Sequence, residues 1–172
     1  MRLFSGKIPT IAEELLRTLT TEGHIEVTAE NADETQLDVE SVLREYLRTE
    51  REIEEEARDF LEARGMGHEG FGKAKRKVAE SRKFGLGEDG IEWIVEQLLD
   101  LFMHTNHIEE IFADDLLLRR VSARVLKKHM AEDQDLKREV ERRLKNLEEG
   151  TTSWDVEYQK VEQRLRRLRG LE

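Results

Sequence analysis

Ile11-Ala-Glu-Glu-Leu-Leu-Arg-Thr-Leu-Thr-Thr-Glu-Gly-His-Ile-Glu26 returns 83 residues on, without a gap, as Ile94-Val-Glu-Gln-Leu-Leu-Asp-Leu-Phe-Met-His-Thr-Asn-His-Ile-Glu109. At the same offset Leu3 matches Leu86, Ile8 matches Ile91, Val42 and Leu43 match Val125 and Leu126, and Leu61 matches Leu144. Gly67 matches Gly150, and Lys77 and Val78 match Lys160 and Val161. Helical periodicity can align the apolar positions of any two helices. It does not place His-Ile-Glu at the end of both, so the chain reads as one unit written twice, 1–84 and 85–172. A unit of this size lies near the lower limit for burying its own core, so the two are expected to share one.

The composition narrows the class. Of 172 residues 40% are charged, 6% are aromatic and one is proline, which favours helix over sheet. The expected fold is all-α: two tandem copies of a three-helix unit, with long helices packed as antiparallel, coiled-coil-like hairpins. Without cysteine there are no disulfides, thiolate chemistry or zinc ribbons. No apolar leader run follows Met1-Arg-Leu-Phe-Ser, so a cytoplasmic location is expected. The most apolar stretch, Ile91 to Phe112, is broken by Glu92, Glu96 and Asp100, which argues against a membrane span.

In the first unit Ile8, Ile11, Ala12, Leu15, Leu16 and Leu19 recur at helical spacing, with Pro9 in the first turn and Gly23 as a left-handed stop. In the second, Asp89-Gly-Ile-Glu92 has capping-box spacing, Ile91 to Phe102 carries the stripe, and Asn106 takes the place of Gly23. The opening Met1-Arg-Leu-Phe-Ser-Gly-Lys-Ile-Pro-Thr-Ile-Ala-Glu-Glu-Leu-Leu-Arg-Thr-Leu19, with Leu43-Arg-Glu-Tyr-Leu47 and the charged run after it, resembles a bacterial family designated domain of unknown function five hundred and seven. The resemblance implies a small helical cytoplasmic protein and brings no activity, substrate or catalytic residue with it.

Residues 28–37 are acidic and aperiodic and predict a surface loop, whereas their counterpart, 111–120, is apolar and predicts helix. A second helix is expected from about Asp38 to Arg64, with Val39, Tyr46, Ile53 and Phe60 spaced by seven. Val121, Val125, Leu126, Met130, Leu136, Val140, Leu144 and Leu147 continue the pattern in the second unit, and Asp133 stands where Glu50 does. That shared acid reads either as a solvated notch or as a buried charge fixing register. A third helix is basic in each unit. The first carries Lys73, Lys75, Arg76, Lys77, Arg82 and Lys83; the second carries Lys160, Arg164, Arg166, Arg167 and Arg169 after Thr152 and Ser153 as caps and Trp154 on the seam.

Motifs that suggest chemistry fare poorly. Gly65-Met-Gly-His-Glu-Gly70 has dinucleotide-loop spacing, but a long helix precedes it where a strand is needed, so it reads as a hinge. The repeated His-Ile-Glu, at 24–26 and 107–109, could bring two His/Glu pairs together, but a metal site wants three or four convergent ligands. It reads instead as a helix stop followed by an apolar cap, with His24 and His107 far apart. His104 and His107 form a weaker pair. No catalytic residue, cofactor or metal is expected.

The net charge of −10 disfavours a whole-surface nucleic-acid footprint, yet charge is segregated. Residues 39–64 carry nine acids against five bases, while 73–83 carry six bases against one acid. The expectation is a non-catalytic interaction or assembly protein that forms a homodimer and binds an unknown protein partner. The alternative is a nucleic-acid-associated protein using the basic helices 73–83 and 160–169, with Lys73, Lys75, Arg76, Lys77, Arg82, Lys83, Arg164, Arg166 and Arg167 as the possible interface. Because an acidic helix precedes each basic one across a glycine hinge, the cations are expected to lie against it, leaving nucleic-acid affinity weak.

Overall fold

Why the chain begins as helix is visible in its first turns. Ser5–Lys7 forms a short 3-10 turn and Pro9 pre-sets the first turn of α1, Ile8–Thr21. Ile8, Ile11, Ala12, Leu15 and Leu19 are buried along one stripe. Gly23 stops the helix at φ 72°, letting the His24 N–H reach the Leu19 carbonyl at 2.8 Å and the Gly23 N–H reach Thr20 at 3.1 Å. The computed structural model describes residues 2–67, 70–144 and 152–172, with only the backbone described at 133–134 and 152–155.

The remaining elements are β1 (Ile25–Glu26), α2 (Ala32–Glu62), α3 (Phe71–Ser81), α4 (Asp89–His104), β2 (Glu110–Ile111), α5 (Asp115–Met130), α6 (Glu132–Arg143) and α7 (Thr152–Leu168). Helix takes up 74% of the described residues and strand 3%, so the class is all-α. Ala32 and Asp115, which open α2 and α5, are themselves 83 apart.

Four sequence-based expectations need correction. The acidic run 28–37 is a loop only as far as Asn31, because Asp33 and Glu34 fall in the first turn of α2, where carboxylates favour the helix dipole. Thr35 there is wholly buried, its hydroxyl 2.7 Å from the Asn31 carbonyl and 3.2 Å from that of His107. Asn106 does not repeat the Gly23 stop: α4 ends through an extended Thr105, ψ 144°, whose hydroxyl is held by Asp38 at 2.8 Å. The two His-Ile-Glu segments do more than end helices. Ile25 pairs with Ile111 and Glu26 with Glu110 in an antiparallel ribbon, and the Glu109 N–H donates to Glu26 at 2.9 Å.

The fourth correction concerns the second long helix. α2 runs unbroken for 31 residues, but its counterpart breaks at Ala131, which closes α5 and opens α6. The long helices are therefore not a side-by-side pair. α2 packs chiefly on α1, α3 and α4, and α5 on α1 and α4, while α6 pairs with α7. The side chains of Asp133, Thr152, Ser153 and Trp154, and residues His68, Glu69, Leu147 and Gly150, lie outside the described residues.

One apolar core draws on α1, α2, α3, α4 and α5 together. A second, smaller one joins Phe4 to Leu136 and Val140 of α6, Leu144 just after it, Leu165 of α7 and Leu171. Between α2 and α4 the rings of Tyr46 and Phe84 stack at 4.8 Å, and Trp93 tilts against both. The Tyr46 hydroxyl donates to the Gly85 carbonyl at 3.2 Å, and burial drives its pKa up. It also lies where a Cβ on Gly90 would sit.

Gly90→Ala is expected to destabilise the fold by about 1–3 kcal/mol, the usual range for overpacking. Tyr46→Phe removes the closest clashing atom and one hydrogen bond. Chemical denaturation of the parent, the two single variants and the double variant should show Gly90→Ala costing less in the chain that also carries Tyr46→Phe. Ser122 offers the opposite case: its wholly buried hydroxyl has no partner among the described residues, so Ser122→Ala should stabilise by up to about 1 kcal/mol.

Candidate interaction surfaces

α3 buries Ala74, Val78 and Ala79 against α2, and that phase decides where each of its cations points. Lys75 lies beside the buried stripe, its Nζ donating to Glu50 at 3.0 Å and Glu54 at 2.8 Å. Desolvation pulls its pKa down, but the bonds and charges of Glu54 and Glu50 more than offset this, so the net shift is upward. Arg82, two turns beyond at the end of α3, bridges Glu52 at 3.1 Å and Glu56 at 2.8 Å. Lys73, Arg76, Lys77 and Lys83 are exposed. Lys77 lies 5.6 Å from the Phe60 ring, which Arg64 covers at 4.0 Å. Lys73, Arg76 and Lys83 make no ion pair among the described residues.

On α7, Arg166 pairs with Glu162 and stands over the Phe4 ring at 5.5 Å, Arg167 bonds Glu172 at 3.1 Å, and Arg164 is exposed with no ion pair among the described residues. Arg169 crosses to Glu139 of α6 at 3.4 Å. The two basic helices line two grooves, about 580 Å³ beside Lys75 and Arg76 and about 250 Å³ beside Arg166, and the two share Arg2, Glu50 and Glu54. Glu50 is thus not a solvated notch but a half-buried charge paired with Lys75.

The histidines fall into separate places. His24 Nε2 lies 3.1 Å from Glu22, and its carbonyl accepts from Phe112, so the ribbon does not set it opposite His107. His107 Nδ1 bonds Asp38 at 2.7 Å, and His104 contacts Asp100. Among the described residues no three His, Cys, Asp or Glu side chains gather as a metal site would require.

Two features escaped the sequence reading. Glu14 of α1 takes Lys128 at 2.7 Å and buried His129 at 2.8 Å, both from α5, while Glu22 takes Arg124 at 2.6 Å. Between α2 and α4, Val42, Trp93 and Leu101 line an open groove of about 460 Å³ with Ser41, Glu45, Gln97, Asp100 and His104. Trp93 is the signal that could have found it: an aromatic lying off the buried stripe of α4.

The Glu14 carboxyl is held below its ordinary pKa, chiefly by the Lys128 hydrogen bond, against desolvation and with help from His129. A depressed carboxylate contributes stability above its unfolded pKa of about 4.3 and loses it as pH falls through the lower folded value. Glu14→Gln should therefore show a shallower loss of stability than the parent between about pH 5 and 3, read from denaturation midpoints. Lys75→Met, which leaves Glu50 and Glu54 facing each other, should cost about 1–2 kcal/mol at neutral pH.

No curated protein matches the chain. A family model matches nearly end to end, over residues 1–171, and the chain belongs to the family described as protein of unknown function (DUF507).

Proposed function

We propose that the chain is a non-catalytic interaction or assembly protein of the cytoplasm, self-associating as a homodimer and built from a duplicated helical unit. The observation that carries this reading is the use of the basic helix α3. Lys75 and Arg82 are each held by two carboxylates of α2, so part of the charge that phosphates would need is neutralised within the chain. Groups with displaced pKa values, among them Glu14, Tyr46, Lys75 and Glu139, are dispersed over α1, α2, α3 and α6 and do not share one cleft, which supports a non-catalytic role.

Exposed apolar side chains support the interaction reading further. Phe112 is 58% and Leu116 71% exposed, four residues apart just after the ribbon, where the positions 83 residues earlier hold Ala29 and Asp33. The duplication is supported by the recurring order of helix, short strand, long helical segment and basic helix, and by the spacing of the α2 and α5 starts.

A second reading, nucleic-acid association, is favoured by one observation: Lys73, Arg76, Lys83 and Arg164 are exposed and free of ion pairs among the described residues. The two readings separate cleanly. Native crosslinking followed by pull-down of the full chain should recover protein partners, and gel shifts with DNA or RNA at about 150 mM salt should give dissociation constants weaker than about 1 μM. Tighter binding, abolished by charge reversal at Lys75, Arg76 and Lys77 or at Arg164, Arg166 and Arg167, would reverse the order of the two readings.

A further inference from the structure

The 83-residue offset relates the α1/α5 contact to the α2/α4 contact, and the two are finished differently. On the first, Lys128 reaches across to Glu14. The residues at the matching positions on the second are Glu45 and Gln97, and Arg124 and Glu22, joined on the first, correspond to Ser41 and Thr105. One groove is closed by ion pairs between its walls. The other stays open over Val42, Trp93 and Leu101, with Glu45 and Asp100 at its rim. Among the described residues Glu45 pairs with Arg48 on its own helix, and Leu37, one turn before Ser41, is 52% exposed. The open groove thus has an apolar floor and lacks the cation that Lys128 supplies to its counterpart.

The outward side of α7 has the complementary chemistry. Val156, Lys160, Arg164 and Leu168 follow one another four residues apart and are all exposed, with apolar side chains at the ends and cations between them. Rows at this spacing form the ridges that seat in grooves between helices. At 1.5 Å per residue the row spans about 18 Å, against about 16 Å from Trp93 to His104. Leu168, 72% exposed, is the most exposed large apolar side chain described. We propose that the α2/α4 groove docks helix α7 of a second copy of this chain, Val156 and Leu168 covering the Trp93 floor and Lys160 and Arg164 meeting Glu45 and Asp100. The inference rests on the interaction reading and gives its self-association a site.

The test uses the full chain in sedimentation and light scattering at micromolar concentration. The expected mass is twice 20.2 kDa. Glu45→Arg and Arg164→Glu, both at exposed positions, should each raise the dimer dissociation constant by at least about tenfold, and the chain carrying both should recover to within about threefold of the parent. Leu168→Ser should weaken the dimer without altering the thermal midpoint of the monomer. A dimer indifferent to all three substitutions overturns the docking site and leaves the interaction reading standing. A chain that stays monomeric overturns the docking site as well, and if crosslinked pull-downs are also empty the interaction reading falls with it.

Discussion

Leu15, Leu43, Leu98 and Leu126 have no exposed surface, and they come from α1, α2, α4 and α5. They are also two pairs at the 83-residue offset, and all four lie in the one large core. No one of these helices hides its stripe by itself, and the ribbon and the aromatic cluster likewise join residues far apart in the chain, Ile25 with Ile111 and Tyr46 with Trp93. Tyr46, Phe84 and Trp93 fill the seam where α2 crosses α4, and this is why Gly90 can carry no side chain.

Charge is arranged around that core and not independently of it. With 40% of residues charged, most ion pairs are exposed and contribute little each. The exceptions are cross-helix bonds at half-buried positions: Lys75 with Glu50 and Glu54, and His129 with Glu14. These act at the margins of the core, where an unpaired member would be desolvated without compensation. The acidic bias of α2 and the basic bias of α3 are thus two sides of one contact.

Much of the architecture could be read from the letters. The α1 stripe and the Gly23 stop follow from spacing and from the left-handed φ that glycine tolerates. The start of α2 did not, because acids that look like a loop in composition are also what a first helical turn favours. The break at Ala131 carries no glycine or proline; neighbouring helices decide it, since α6 turns to cover Phe4 with α7. The ribbon is two residues per strand, too short to show alternation. For the surfaces, residue types were legible and directions were not. Six cations were apparent in 73–83, but only the burial of Ala74, Val78 and Ala79 against α2 shows that Lys75 points inward and Lys73 outward.

The small second core joins opposite ends of the chain. Phe4 packs with Leu165 and Leu171, and the backbone of Gly6 presses on that of Gly170 and Glu172 so closely that a Cβ there would collide with their carbonyls. During synthesis at roughly 5–20 residues per second, Phe4 leaves the ribosome roughly 10 to 30 seconds before the leucines that cover it. For that interval the large core can gather α1, α2 and α4 while the clasp stays open. A chain stalled or cut before Leu165 would leave Phe4 covered only from the side of Leu136, Val140 and Leu144, the sort of partly bared apolar mark by which quality-control machinery distinguishes an unfinished product from a finished one.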